Sequence, residues 1–148
     1  MSQSLAKINI HVVYSVQNRA SVLDETIRPD LYAYTVGILN KLACITVAVG
    51  GTADHLHALI ILSRTVTVAK VIEDMKRGSS RWLKARGWRD FAWQNGYGAF
   101  SVSESKVTTV AKYIHNQQEH HRRRSFTDEL RSLLKKHNVE FDERYIFS

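Results

Sequence analysis

Residues 43–62 read ACITVAVGGTADHLHALIIL. The first seven, ACITVAV, are apolar and rich in β-branched side chains, which predicts a buried strand. Gly50-Gly51 supplies a turn, and residues 55–62 predict a second strand, so the stretch reads as a hairpin. Within the second strand His55 and His57 stand two residues apart, which puts both imidazoles on one face. Two rings about 7 Å apart along a strand can converge on one metal ion. A strand end with two half-exposed histidines is the plainer alternative, and the pair alone does not exclude it.

Working outward, residues 8–16 alternate as a strand: Ile8, Ile10, Val12, Tyr14 and Val16 on one face, Asn9, His11, Val13 and Ser15 on the other. A helix follows, with Pro29 suited to its first turn and Leu31, Tyr34, Ile38 and Leu42 at helical spacing. Beyond the hairpin, Val68, Val71, Ile72, Met75, Trp82 and Leu83 form the apolar stripe of a second helix. An aromatic loop (WRDFAWQNGYG, 88–98) leads into a last strand at 98–104. Residues 105–121 predict a helix with Val107, Val110 and Ile114 as its stripe. Ser125 and Asp128 read as the capping pair of a short final helix carrying Leu130, Leu133 and Leu134. The order β-α-β-β-α-β predicts an α+β, ferredoxin-like (RRM-like) antiparallel sheet followed by helices. Two helices cover one face of such a sheet and leave the other open.

The chain of 148 residues suits one domain. Its expected parts are a core of about 7–104, the helix of about 105–121 and a tail at 122–148. Hydrophobic residues at 44% and charged residues at 24% argue against disorder and fibrous repeats. Twenty-one Lys and Arg against fourteen Asp and Glu leave a net charge of +7, which favours a polyanionic partner. The single cysteine, Cys44, excludes an internal disulfide. No signal peptide is legible, and the longest apolar run, Ala58 to Leu62, is far short of the roughly 20 residues a membrane span needs. A reducing cytoplasm and no membrane partner are expected.

Two further groups carry chemistry. Tyr113 and Gln117 lie four residues apart and share a polar helical face with Lys106, Thr109 and His120. A metal held by His55, His57 and the Gln117 amide oxygen leaves positions for a phosphate oxygen beside the Tyr113 hydroxyl. Imidazole and oxygen ligands without thiolate fit Mg²⁺ or Mn²⁺ at least as well as Zn²⁺. Lys70, Arg77, Arg81 and Lys84 share a face of the second helix and, with Arg122, Arg123 and Arg124, can neutralise several phosphates. An ordinary solvated face is the alternative. Trp88, Phe91, Trp93 and Tyr97 either stack on unpaired bases or pack in the core.

His-Leu-His on a strand, followed by a helix with Tyr-x-x-x-Gln, resembles the single-tyrosine HUH transposases of small bacterial insertion sequences, the TnpA type and its REP-associated relatives. Longer strings carry the same resemblance: HVVYSVQNR (11–19), DHLHAL (54–59), WQNGYGAFSVS (93–103), YIHNQQEHH (113–121) and the tail LLKKHNVEFDERYIF (133–147). It implies cleavage and rejoining of single-stranded DNA at element ends, with recognition of a subterminal hairpin. Tyr113 is then the nucleophile, forming a 5′-phosphotyrosine link and releasing a 3′-hydroxyl. His55, His57 and Gln117 are the metal ligands. The family resemblance also implies a homodimer, whose tyrosine helix can complete the partner's site and would cover the open sheet face. Gln17-Asn18 departs from many members. His115, His120 and His121 lie close enough for a ligand swap with Gln117, although adjacent His120 and His121 diverge by about 100° on a helix and are not expected to face the metal together. Other readings remain: a domesticated nuclease that processes chromosomal repeats, a non-catalytic nucleic-acid-binding module of the same fold, and a hydrolase of small phosphates.

Overall fold

The computed structural model describes residues 2–145, so Ile146 and Phe147 of the tail string lie outside the described residues. Strand β1 (Asn9–Ser15) is buried along its whole length, on both faces. That alone says that neither side of the sheet is open. β2 (Ile45–Gly51) and β3 (His55–Ile61) form the expected hairpin, and β4 (Gly98–Val102) closes the set. The sheet order is β2-β3-β1-β4 and every pairing is antiparallel, as a ferredoxin-like split βαβ arrangement requires.

Helices α1 (Arg28–Lys41) and α2 (Val68–Ala85) lie on one face. They enclose the main core with Ile10, Val12, Tyr14, Leu56, Ala58 and Ile60 from the sheet. The α2 stripe is as expected, and Thr67 caps the helix by accepting from the Lys70 backbone N–H at 3.1 Å. The α1 stripe differs. The buried residues are Leu31, Thr35 and Leu39, whereas Tyr34 is exposed and stacks on Trp82 of α2 at 5.3 Å. Thr35 can be buried because its hydroxyl donates to the Leu31 carbonyl at 2.9 Å. In the aromatic loop Phe91 and Trp93 are core residues, Trp88 is half-buried and donates to the Val22 carbonyl, and Tyr97 remains exposed.

The second face is covered by the chain itself, by α3 (Val107–His115), α4 (Gln117–His120) and α5 (Phe126–Lys136). α3 packs Ile114 against Ala48 and Leu59, and α5 packs Phe126, Leu130 and Leu134 against Val13 and Phe100. The face expected to be open therefore needs no second subunit to cover it. The single helix expected over 105–121 is three pieces. A short turn at Glu104–Lys106 precedes α3, and a break at Asn116 separates α3 from α4. At the break the Gln117 side-chain amide donates to the Tyr113 carbonyl at 3.4 Å, the kind of local side-chain bond that competes with a helical ladder. Ser125 does cap α5, accepting from the Asp128 N–H at 3.2 Å.

Gly50-Gly51 is not the turn. Both glycines are the end of β2, pairing with His57 and Leu56, and residues 52–54 make the reversal. The reason is close approach: a Cβ on Gly50 would sit 2.4 Å from the Ile114 carbonyl oxygen of α3. A Gly50→Ala substitution is expected to destabilise the fold by about 2 kcal/mol or more, because backbone and not a flexible side chain is in the way. Urea denaturation checks it.

Candidate metal and tyrosine site

The β1–β3 register sets Val13 opposite His57 and Ser15 opposite His55. Both histidines thus point to the α3–α5 face, where they are fully buried. His55 is held at both ring nitrogens. Nδ1 lies 2.7 Å from Asp54 Oδ1 and 2.9 Å from Thr52 Oγ1, and Nε2 lies 2.9 Å from Gln117 Oε1. A carboxylate behind a histidine fixes its tautomer and orientation, as at metal sites. With the Nδ1 proton given to Asp54, the Nε2 lone pair faces an amide oxygen, and positive charge between the two satisfies both.

His57 has Nδ1 at 2.7 Å from His11 Nε2, and the two rings stack at 5.0 Å. Its Nε2 is 2.8 Å from Glu129 Oε1. Burial lowers the His57 pKa to about 4, against the raising effect of Glu129, and burial followed by the His57 ring lowers His11 to about 3. Both rings are therefore neutral near pH 7, the form in which imidazole binds metal.

Glu129 ties the site together. It is 2% exposed. Oε1 meets His57 and stands 3.7 Å from His55 Nε2; Oε2 accepts from the Tyr113 hydroxyl and lies 3.0 Å from His121 Nε2. Burial opposes its charge, yet the hydrogen bonds from His121 and His57 outweigh burial and hold the carboxyl well below the usual carboxylate range. Tyr113 moves the other way. Burial and the adjacent Glu129 charge push its hydroxyl above the ordinary phenol range. His120 also reaches this carboxylate, at 3.6 Å, although its Nε2 is buried with no hydrogen-bond partner among the described residues. His120 and His121 were expected to diverge. Both rings come near Oε2, at 3.6 and 3.0 Å, but among the described residues only His121 belongs with His55 and Glu129 to a group of possible metal donors, so the pair does not face one ion together.

Tyr113, His55, His57 and Gln117 are thus brought together within one chain, with ring centroids of Tyr113 and His57 5.7 Å apart. Among the described residues His55, His121 and Glu129 form a group whose donor atoms can hold a metal ion. Nitrogen and oxygen donors without thiolate fit a Mg²⁺- or Mn²⁺-type ion. Sequence reading missed Glu129 and the support given by Asp54. Glu129 had one signal: it falls on the buried stripe of α5 with Phe126, Leu130 and Leu134, where a lone charge calls for partners.

The basic residues divide between the far face of the sheet and the surroundings of Tyr113. Lys70, Arg77, Arg81 and Lys84 are exposed on α2, across the sheet from the histidines, and two of them pair within the helix, Lys70 with Asp74 and Arg77 with Glu73. Arg122 and Arg123 are exposed beyond α4, Arg122 paired to Glu119 and Arg123 lining a cleft with Tyr113 and His120. Arg124 instead joins a cleft of about 710 Å³ between α3, β4 and α5, which Tyr113, Glu129 and His11 also line. Lys106, Lys136 and His137 add to the same wall.

A buried histidine pair on the antiparallel sheet thus lies beneath a helix that carries a tyrosine. The family model described as IS200-like transposase matches residues 4–117, and the chain belongs to that family. A candidate transposase structure from Deinococcus radiodurans R1 shares the fold, with a TM-score of 0.64 at 20% identity over 79% of this chain and 98% of that one. A REP-associated tyrosine transposase bound to a REP hairpin is also similar, with a TM-score of 0.62 at 16% identity over 82% of this chain and 74% of that one. No curated protein matches. Among the described residues no helix is long and apolar enough to cross a membrane.

Proposed function

We propose that this transposase cuts and rejoins single-stranded DNA at the hairpin-bearing ends of an insertion sequence, with Tyr113 as nucleophile and His55, His57 and Gln117 as ligands of a Mg²⁺ or Mn²⁺ ion. The observation that carries the reading is the junction of the two motifs. The Tyr113 hydroxyl and the His57 ring meet on one buried carboxylate, and Gln117 meets His55. A bound divalent ion supplies Lewis acidity toward a phosphate oxygen. Tyr113 Oη attacks phosphorus, its proton leaves to a neighbouring base, and the bond to the 3′-oxygen breaks. The products are a 5′-phosphotyrosine and a 3′-hydroxyl that has gained a proton. A second 3′-hydroxyl reverses these steps, forming a new phosphodiester and restoring the Tyr113 hydroxyl, so no ATP is needed. The neighbouring structure's REP hairpin supports hairpin DNA as the partner. A homodimer belongs to this reading, although α3 lies on its own sheet, which favours Tyr113 acting in the chain that carries it.

The test is incubation with labelled single strands from both flanks of the gene, with Mg²⁺ or Mn²⁺, on a denaturing protein gel. A metal-dependent adduct supports the reading. Hairpin binding without an adduct on any flank favours a binding module or an inactive descendant.

The cleft and the α2 stripe are separable routes for the strand. Replacing Lys106 and Lys136 by Ala is expected to lower the slope of log binding constant against log salt by about 1 for each lost phosphate contact. The pair Arg77→Ala and Arg81→Ala tests the stripe in the same titration. A drop only in the second variant assigns the strand to the α2 face.

A further inference from the structure

Resting on that reading, we infer that Glu129 of α5 is itself a ligand of the metal, an anionic oxygen supplied by the same chain in addition to His55, His57 and Gln117. Spacing and charge at Glu129 both point to a bound cation. Adjacent ligands on an octahedral ion with bonds of about 2.1 Å stand about 3.0 Å apart. Glu129 Oε1 lies 2.8 Å from His57 Nε2 and 3.7 Å from His55 Nε2, while His55 Nε2 and Gln117 Oε1 are 2.9 Å apart. Glu129 Oε1 thus stands at or near that separation from each histidine, as His55 does from Gln117, and among the described residues Glu129 belongs to the donor group His55, His121 and Glu129. Two imidazoles and an amide offer no negative charge, and hard divalent cations favour carboxylate. Glu129 supplies it from a position 2% exposed, where an ionised carboxylate needs a strong partner. The second oxygen is engaged by Tyr113 and His121, so one carboxylate links the metal side of the site to the nucleophile.

The experiment is Mn²⁺ binding in the absence of DNA, by calorimetry and by the electron paramagnetic resonance of free Mn²⁺, for the full chain and for Glu129→Gln, Glu129→Asp and His57→Ala. Circular dichroism confirms that each variant is folded. Glu129→Gln keeps the shape and removes the charge, and is expected to weaken Mn²⁺ binding at least tenfold. Glu129→Asp keeps the charge but draws it back by one methylene, so a smaller loss is expected, and it serves if Glu129→Gln does not fold. Weak binding in His57→Ala with unaltered binding in both Glu129 variants overturns the inference and leaves the metal centre standing. No Mn²⁺ binding by the unaltered chain overturns both.

Discussion

Tyr113→Phe is expected to abolish the covalent DNA adduct, a loss of at least about 10³-fold in cleavage, because removing a nucleophile leaves only binding and electrostatics. Hairpin binding is expected to stay within about twofold, since the ring and its packing remain and only the hydroxyl goes. The fold loses one hydrogen bond to a buried charge, a cost of about 1–2 kcal/mol. That cost is tolerable because His57 and His121 still hold Glu129. Adduct formation by Tyr113→Phe at the native rate would show that another side chain attacks. In the proposed mechanism the same carboxylate would couple a bound metal to this tyrosine. With Glu129 charged beside it and burial around it, the hydroxyl holds its proton more tightly than a free phenol. Drawing the Glu129 charge toward a cation removes part of that penalty.

His57→Ala is the second large effect, and the structure changes what the sequence alone suggests. From sequence, loss of metal-dependent cleavage with little loss of fold is the expectation. The ring is fully buried, however, 2.8 Å from Glu129 and 2.7 Å from His11. Its removal strips one partner from a buried carboxylate and one from a buried imidazole, and leaves a cavity. A stability loss of about 2–4 kcal/mol is expected beside the loss of cleavage. Thermal and urea unfolding measure the first, and the adduct gel, run where the variant is still folded, measures the second. Native-rate cleavage by folded His57→Ala would remove it from the ligand set. Gln117→Ala is the companion variant, losing the contact of its Oε1 to His55 and the bond from its amide to the Tyr113 carbonyl.

Much of the fold is legible in local periodicity. The alternation at 8–16, the hairpin at 43–62 and the α2 stripe each need only neighbours along the chain, and each appears where the pattern puts it. The α1 stripe misleads because Thr35 counts as polar in a pattern but satisfies itself on the preceding turn. Gly50-Gly51 misleads because two glycines mark either a turn or a close approach, and the helix that approaches is 64 residues away.

The sequence by itself determined the order of strands and helices along the chain, the His-x-His strand face and the helix that carries Tyr113, since periods of 2 and 3.6 residues are written locally. Tertiary structure alone decided that α3 and α5 cover the chain's own sheet, and that Glu129, 72 residues from His57, lies between the histidines and the tyrosine. A charge on an apolar stripe announces that it needs partners. Which partners it finds depends on how α5 packs, and packing is settled by the shapes of Phe126, Leu130 and Leu134 against Val13 and Phe100.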